Sequence, residues 1–325
     1  MSLKYLKSIK SFHFEVQQKR FLSVCLKPIK QLVRFEGPDT QKFLQGLTTQ
    51  NVTLKKPFYT GFLNTSGRVL FDAFCYPESL TNTEVSTPNQ KLLIEVEKFR
   101  IEEFLKHVKK YKLRYKCNVT AVDPEELSVQ VGWEQDAEKV MSDKHSYPSM
   151  WDPRFQGPML SRRVVSSYAC SSDVALEEYM AFRYRHGIAE GSMEIAPGSA
   201  FPMESNLDWM KGIDFYKGCY LGQELTVRTY HTGVTRKRIL PFMIEESSRI
   251  ADIQTSSKLG LRASSAGRVS SRSPGKVLAT QGIYGLAMVR LEYLNQPLMC
   301  NGVPIRIMNE IWNEQLQPSD TKTEN

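Results

Sequence analysis

The pattern of apolar residues changes near residue 235, and this change limits the folds open to the chain. Before it, strand patterns are interleaved with helical patterns, of which the strongest cover residues 97–111 and 173–187. After it, only strand patterns separated by turn residues occur, at Ile239–Ile244, Gly267–Ser271, Gly285–Leu291 and Val303–Met308. We therefore predict an α/β or α+β body to about residue 235, followed by a small all-β barrel or sandwich.

Within the body, strand patterns cover residues 31–36, 59–63, 69–76, 116–122, 127–133 and 160–166. The helix at residues 173–187 is expected to be capped by Asp173 and stopped by Gly187. Residues 188–215 hold Gly and Pro but little periodicity. Long irregular segments inside a globular chain are often functional, so we expect site residues in or beside this one.

The amino terminus carries most of the excess positive charge. Residues 1–30 hold seven of the 43 Lys and Arg residues but one of the 35 acids. Spaced basic residues with serines, apolar residues and almost no acid are typical of a mitochondrial presequence. We predict a transit peptide over residues 1–22, with cleavage near Ser23, and hence location in the mitochondrial matrix. A frayed basic tail on a cytosolic protein is the alternative that composition leaves open.

The rest of the chain is nearly neutral, which argues against a nucleic-acid surface, since that normally needs a basic patch on the body. No apolar run approaches the ~18 residues needed to span a bilayer. The sequence also lacks a Gly-x-Gly-x-x-Gly fingerprint, a complete P-loop and any His-x-x-x-His pair. Nucleic-acid binding, a membrane span and a dedicated nucleotide or zinc site are therefore not expected.

Six cysteines are spread along the chain without a Cys-x-x-Cys pair. A zinc ribbon, a thioredoxin-type site and a self-contained iron–sulfur site therefore have no local support. In a reducing compartment we expect free thiols, mostly buried as small hydrophobic residues.

The densest group of chemically capable residues leads into a helical pattern that begins at Gln223. It comprises Lys217, Gly218, Cys219, Tyr220, Gly222, Gln223 and Glu224. A cysteine on a tight loop before a helix amino terminus, with a lysine close by, is in a setting that favours thiolate. On local chemistry alone, a buried structural cysteine in a glycine-rich turn is the more ordinary interpretation.

The stretch from Lys217 to Glu224 resembles the Lys-Gly-Cys-Tyr-x-Gly-Gln-Glu signature of the YgfZ-related mitochondrial iron–sulfur cluster assembly factors. These belong to the superfamily of folate-dependent aminomethyltransferases, which includes the glycine-cleavage T-protein. Further stretches that resemble this family are residues 35–39, 43–52, 61–68 with Asp72, 183–187, 201–208 and 285–290. The resemblance covers roughly residues 31 to 310.

This resemblance implies an α+β fold. An aminomethyltransferase-like, folate-binding body, a cloverleaf with a central cavity, is expected over residues 30–235. A small C-terminal β-barrel domain is expected over residues 236–312 and a disordered tail over 313–325. The implied function is late [4Fe–4S] cluster assembly, with maturation of aconitase-type and lipoyl-synthase or radical-SAM enzymes. A-type iron–sulfur carrier proteins and a ferredoxin are the implied partners.

With this resemblance, Cys219 becomes the expected key thiol. A [4Fe–4S] cluster usually takes four ligands, so one thiolate cannot hold it and no metal is expected on this chain alone. Cys219 could supply one ligand to a transient cluster shared with a partner, or it could protect or reduce a cluster in transit. The sequence leaves both roles open.

The resemblance also implies tetrahydrofolate binding. Glu204 lies where T-proteins place a pterin-binding acid, and Asp72 lies near the acid that acts on the folate amine. Arg228 and Arg236 either face the folate glutamate tail or are solvated surface arginines.

The T-protein pattern usually has two adjacent acids, whereas the neighbour of Asp72 is Phe71. This departure disfavours true aminomethyl transfer, so a folate-dependent one-carbon transferase is the alternative function. An RNA-modification role, suggested by bacterial relatives, is disfavoured by the neutral body.

Overall fold

The computed structural model describes residues 22–53, 56–78, 90–134, 149–155, 159–233, 235–261 and 273–312. Residues 1–21 of the predicted transit peptide, the predicted tail at 313–325 and the strand expected at Gly267–Ser271 lie outside the described residues. Among the described helices, none is both long enough and apolar enough to cross a bilayer.

The body contains nine strands and four α-helices within the described ranges. The strands are β1 Ser23–Cys25, β2 Lys30–Gly37, β3 Phe58–Leu63, β4 Val69–Pro77, β5 Gln90–Glu97, β6 Asn118–Ala121, β7 Leu127–Trp133, β8 Ser149–Trp151 and β9 Leu160–Ser166. The helices are α1 Thr40–Gln45, α2 Ile101–Lys112, α3 Leu176–Arg185 and α4 Gln223–Thr232.

Five of these strands form an antiparallel sheet in the order β3-β4-β5-β2-β6. Its β3 strand is buried along its whole length, because both faces of the sheet are covered. On one face, the Phe104 ring of α2 makes edge contacts with the rings of Phe62 and Phe71, with centroids 5.1 and 5.3 Å apart. On the other face, Tyr59 and Phe74 join the main hydrophobic core, which also includes barrel residues such as Ile239 and Leu286. Each such side chain contributes about 1.5–3 kcal/mol on burial.

The other body sheet has the order β1-β7-β9-β8 and is covered by α3, whose Phe182 packs 5.7 Å from the Trp133 ring. The bounds of β7 and β9 are those that the sequence predicts. Asp173 was expected to cap α3, and that prediction is wrong. Its carboxylate instead accepts the Ser23 hydroxyl at 2.6 Å, and Ala175 occupies the capping position.

A buried cluster of ion pairs joins the two body sheets. Arg162 of β9 donates to Glu95 of β5 at 2.6 Å and to Glu190 at 2.8 Å, and Arg154 donates to Glu190 at 2.7 Å. Lys30 of β2 lies 3.1 Å from Glu190. Burial favours the neutral amine, but attraction by Glu190 and neighbouring acids outweighs it and raises the pKa of Lys30. Removing one partner from such a cluster typically costs about 3–5 kcal/mol.

The cysteines do not all follow the expectation of free thiols. Cys25 of β1 and Cys170 form a disulfide with their Cα atoms 5.6 Å apart, which corrects the prediction for this pair. Their proximity arises from the pairing of β1 with β7 and could not be read from a sequence separation of 145 residues. Cys75, Cys117 and Cys300 are free and buried, as expected, whereas Cys219 is free and exposed.

The C-terminal part of the chain is a closed six-stranded barrel. Its strands are β10 Lys237–Ile244, β11 Lys258–Leu261, β12 Gly275–Gln281, β13 Tyr284–Arg290, β14 Leu298–Cys300 and β15 Val303–Ile307. They pair in the order β10-β13-β12-β11-β14-β15. Closure removes the unpaired strand edges that an open sheet of this size would leave.

Candidate functional site

The loop that carries Cys219 is laid against residues 46–50, which follow α1. The Leu221 N–H donates to the Gly46 carbonyl at 2.9 Å, and the Asp214 N–H donates to the Thr49 carbonyl at 3.0 Å. The Thr49 hydroxyl donates in turn to the Gly212 carbonyl at 2.6 Å. The loop is therefore fixed on both sides of the cysteine by backbone hydrogen bonds.

The Lys217 side chain adds two hydrogen bonds to this contact. Its Nζ donates to the Thr48 carbonyl at 2.7 Å and to the Gln50 carbonyl at 2.8 Å, and it lies 5.2 Å from the centroid of the Tyr220 ring. Burial lowers the pKa of this amine to about 7, although attraction by Asp214 opposes the shift. The sequence predicted Lys217 as a cation serving the Cys219 thiol, whereas its described hydrogen bonds go to these carbonyls.

Gly222 sits at the amino end of α4 in the left-handed region, with φ +77°. A Cβ atom there would lie 2.3 Å from the Asn64 carbonyl oxygen, in the turn between β3 and β4. Gly218, by contrast, faces open space. The two glycines that bracket the cysteine thus differ, since Gly222 allows a close backbone contact and Gly218 has no neighbour that requires glycine.

Cys219 is exposed and precedes α4 by four positions. Its neighbour Tyr220 is buried, which raises the pKa of its hydroxyl to about 12, and the Tyr220 N–H donates to Oε1 of Gln223 at 3.1 Å. Glu224 is exposed in the first turn of α4. This geometry argues against the buried structural cysteine that local chemistry alone favoured.

No group of three or more His, Cys, Asp or Glu side chains among the described residues is arranged to hold a metal ion. Cys219 can therefore act as a nucleophile or as a single soft ligand, and any cluster bound through it needs ligands from elsewhere.

Two of the predicted folate residues meet at one cavity of about 220 Å³. Glu204 and Arg236 line it together with residues of α4, including Thr226 and Thr229. The Glu204 carboxylate lies 4.0 Å from the Lys237 amine. The third predicted residue, Arg228, is exposed on α4 and is not part of this lining.

The segment that bears Glu204 is fastened to the first barrel strand. The Glu204 carbonyl accepts from the Ile239 N–H at 3.0 Å. Arg238 donates to the Met203 carbonyl and, at 2.6 and 2.9 Å, to the two carboxylate oxygens of Asp208. The cavity therefore lies where body and barrel are directly bonded.

Asp72 is buried in β4. Its carboxylate accepts from the Gly191 N–H at 3.0 Å and from the Tyr59 hydroxyl at 3.3 Å. It lines a separate small cavity of about 10 Å³, room for roughly one water molecule. The structure thus separates Asp72 from the cavity that contains Glu204.

An aromatic group beside Cys219 escaped the sequence analysis. Tyr216 is 90% exposed, while the rings of Phe215 and Tyr230 stack with centroids 3.8 Å apart and planes at 15°. The run of aromatic residues before the cysteine was the available signal. The exposure of Tyr216, however, depends on the geometry of the loop and cannot be predicted from the sequence.

Sequence reasoning also missed the partners of the Cys219 loop. These are the carbonyls of Thr48, Gln50 and Asn64, together with Gly67. These partners belong to residues 43–52 and 61–68, two of the stretches that resemble the family. Nothing in their sequence indicates that they pack on the cysteine loop.

Comparison with known proteins agrees with this architecture. A family model described as the CAF17 C-terminal beta-barrel domain matches residues 236–315. A relative from Aspergillus oryzae, the mitochondrial iron-sulfur cluster assembly factor IBA57 homolog, is 38% identical over 311 residues, which cover 81% of this chain and 69% of the relative. The homolog of the same name from Pyricularia oryzae is 38% identical over 283 residues, covering 82% and 71%.

Among solved structures, the glycine cleavage system aminomethyltransferase T from Bartonella henselae matches with a TM-score of 0.65 and 12% identity. The match covers 89% of this chain and 85% of that one. At this identity the likeness concerns the fold alone. It confirms the predicted aminomethyltransferase-like body, and the closed barrel confirms the predicted C-terminal domain.

Proposed function

Because this chain belongs to the family of mitochondrial iron–sulfur cluster assembly factors that its IBA57-named relatives represent, we propose that it serves late [4Fe–4S] assembly in the mitochondrial matrix. The clients would be aconitase-type and lipoyl-synthase or radical-SAM enzymes. The observation that carries the proposal is Cys219, a free, exposed thiol on a loop fastened to the body.

In this function Cys219 is one ligand of a cluster whose other ligands come from an A-type carrier protein. Ligand exchange is redox-neutral. The Cys219 thiol loses its proton, an Fe–S bond forms, one Fe–S bond to the carrier breaks and the released thiolate takes up a proton. A ferredoxin would supply the two electrons needed to couple two [2Fe–2S]²⁺ clusters into one [4Fe–4S]²⁺ cluster.

Cluster transfer in solution tests this function. Purified protein is mixed with a carrier loaded with a [2Fe–2S] cluster, and the visible circular dichroism is compared for wild type and Cys219→Ser. Wild type should perturb the cluster spectrum and the variant should not, because serine keeps the volume but removes the soft ligand. Cys300→Ser, in a buried barrel strand, is the matched control and should behave as wild type. Equal spectra for wild type and Cys219→Ser would contradict the proposal.

A cellular test separates this role from glycine cleavage. Depletion should lower aconitase activity and lipoylation while glycine-cleavage chemistry in vitro stays intact. Re-expression of wild type should restore both readouts, and Cys219→Ser should restore neither. Full rescue by the serine variant would make the cysteine structural.

A second candidate, a folate-dependent one-carbon transferase, is favoured by the cavity that Glu204 shares with Arg236. At about 220 Å³ this cavity is smaller than the 300–1,000 Å³ typical of pockets for drug-sized ligands. It would therefore admit one ring system of tetrahydrofolate with the tail outside. Turnover of a folate-bound one-carbon unit by the pure protein would support this function. Binding without turnover would agree with Phe71 at the position of the second acid and with the burial of Asp72.

A further inference from the structure

The end of α2 and the turn that follows it form a strongly basic surface. Residues 104–122 contain six Lys and Arg residues and no Asp or Glu. Of these, Lys109, Lys110, Arg114 and Lys116 are exposed. The near-neutral charge of the body is an average that hides this local excess of positive charge.

The acids of α2 lie at its other end. Glu102 and Glu103 precede Lys106 by one turn on the same helix face, so they offset the charge of Lys106. Lys109 follows Glu102 by seven residues, which corresponds to about 10 Å of helix, roughly one Debye length. Asp39 approaches the turn and offsets one of the five cations that remain, which leaves four positive charges in excess.

Acids of the neighbouring sheet are paired with cations of their own. Glu36, opposite Asn118 of β6, lies 2.9 Å from the Lys91 amine. Glu126, which follows β6, lies 3.2 Å from Arg34. These acids therefore do not cancel the positive charge at the end of α2.

The turn that carries Leu113 and Arg114 stands on a fixed base. The Lys112 carbonyl accepts from the Tyr115 N–H at 2.9 Å. The Tyr115 ring packs with its centroid 5.3 Å from that of Phe43, a buried residue of α1. These contacts hold the turn in one conformation and leave its tip in solvent.

Leu113 lies at this tip and is 82% exposed. Its φ of +43° is in the left-handed region, and glycine is the usual residue for that conformation directly after a helix. A leucine there costs stability and packs little of its surface within the protein. Such a residue is better suited to contact something outside the chain than to support the fold.

An apolar tip among cations matches the surface of a bilayer that contains anionic lipids. Lys and Arg side chains are attracted to the lipid phosphates, while an apolar side chain inserts below the headgroups. RNA fits less well, because proteins hold single strands on exposed aromatic faces. Here the ring of Tyr115 packs on Phe43, and the ring of Tyr111 lies 5.2 Å from that of His107.

We propose that the end of α2 attaches this protein peripherally to an anionic lipid surface. The residues that make the contact, here called the basic turn, are Lys109, Lys110, Lys112, Leu113, Arg114 and Lys116. Leu113 inserts between the headgroups and the cations contact the phosphates. This inference goes beyond the proposed function and does not depend on it, because no residue of the basic turn belongs to the Cys219 loop.

Sedimentation with vesicles tests the attachment. The protein is isolated from mitochondria, in the form that the cell keeps there. Vesicles of phosphatidylcholine mixed with cardiolipin are compared with vesicles of phosphatidylcholine alone, at low and at high salt. Wild type should bind the anionic vesicles only, and less at high salt, because exposed charges are screened. Equal binding to both kinds of vesicle, or binding to neither, would overturn the proposal.

A double variant tests the cations. Lys109→Gln combined with Lys110→Gln should weaken binding to the anionic vesicles about tenfold or more. The matched control combines Lys258→Gln with Lys276→Gln, which removes two exposed lysines that lie opposite each other on the barrel. This control loses the same charge and should bind within about twofold of wild type. An equal loss in the two double variants would refute a specific site.

A second variant tests the apolar tip. Leu113→Gly should weaken binding at least about fivefold while the protein stays folded, because glycine tolerates the left-handed backbone. Met193→Ala removes an apolar side chain that is 75% exposed in another segment, and it should bind as wild type does.

The proposal fails if either variant of the basic turn binds the anionic vesicles within about twofold of wild type. Binding of a single-stranded RNA oligonucleotide that requires Lys109 and Lys110, by a protein that binds no vesicles, would make nucleic acid the occupant. That result would also overturn the inference.

Discussion

Gly67 and Gly222 meet backbone to backbone, so that a Cβ atom on Gly67 would lie 2.9 Å from the Gly222 carbonyl oxygen. Both residues have positive φ, at +72° and +77°. The contact joins the turn between β3 and β4 to the start of α4 and so fixes the direction in which the Cys219 loop leaves the body.

Gly222→Ala should therefore destabilise the protein and disturb the Cys219 loop. The left-handed backbone and the close approach to Asn64 together should cost about 1–3 kcal/mol. Urea unfolding measures the stability, and the rate of iodoacetamide labelling at Cys219 reports the loop. Gly218→Ala is the matched control, because a Cβ atom at that position meets open space. It should change the free energy of unfolding by no more than about a few tenths of a kcal/mol. Equal losses in the two variants would contradict this account of the contact.

The pKa of Lys217 predicts a pH dependence of stability. Its folded-state pKa of about 7 lies below the ordinary value of 10.5, so between these pH values the unfolded chain binds the extra proton. The contribution of Lys217 to the free energy of unfolding should therefore rise between pH 7 and pH 10, by at most about 1.4 kcal/mol per pH unit. The same contribution should be lost as the pH is lowered again to 7. Unfolding of wild type and Lys217→Met at pH 7, 8 and 9 should show a difference that shifts in favour of wild type as pH rises. Lys211→Met, which removes an exposed lysine from the same part of the chain, is the matched control. A constant difference for Lys217→Met would refute the prediction.

Glu204→Gln should weaken tetrahydrofolate binding without unfolding the protein. A carboxylate that accepts pterin N–H groups contributes about 1.5–3 kcal/mol, which corresponds to roughly 10- to 100-fold in affinity. The fold should tolerate the change, because Glu204 is partly exposed and its nearest ion pair, to Lys237, is long at 4.0 Å. Calorimetry measures the affinity, with Glu224→Gln on exposed α4 as the control. Unchanged affinity in folded Glu204→Gln would show that the residue does not bind the pterin.

The disulfide between Cys25 and Cys170 should stabilise the oxidised protein by about 2–4 kcal/mol, because it closes a long loop. Adding dithiothreitol should lower the unfolding midpoint of wild type to that of Cys170→Ser and leave the variant unchanged. Cys117→Ser retains the disulfide and should keep the sensitivity to reductant. An unfolding midpoint of wild type that did not change on reduction would show that the disulfide does not stabilise the protein.

The mature protein should begin near Ser23. This position retains β1, whose first residue donates its hydroxyl to Asp173 at 2.6 Å. Mass spectrometry of the protein from purified mitochondria measures the terminus. Recovery of an intact Met1 there would rule out the predicted cleavage.

Sequence patterns predicted several of the long elements of this fold but missed others, including β5 with eight residues and β12 with seven. β7 and β9 each have seven residues with a strong apolar pattern, and their bounds were predicted correctly. β1 and β8 have three residues each, too few for a period to be visible, and exist only because neighbouring strands pair with them. Helix α4 was predicted to begin at Gln223, as it does, because the glycine before it is a clear local signal.

The site was predictable as a list of residues but not as a geometry. The Cys219 motif was identified from the sequence, yet the carbonyls that hold Lys217 come from residues 169 and 167 positions away. Asp173 was misassigned for the same reason, since its partner Ser23 is brought close by sheet pairing. Glu204 and Asp72 were grouped by their common resemblance, whereas the fold puts them at different cavities.

Arg238 links the barrel to the Glu204 segment through Met203 and Asp208, and this link has a consequence for regulation. Any rotation of the barrel against the body would pull on the wall of the cavity. A protein that grips the barrel and a small molecule that fills the cavity would therefore influence one another, and by thermodynamic reciprocity each would change the affinity of the other by the same factor. The orientation of the barrel and the shape of the cavity that Glu204 lines are therefore mechanically coupled through Arg238.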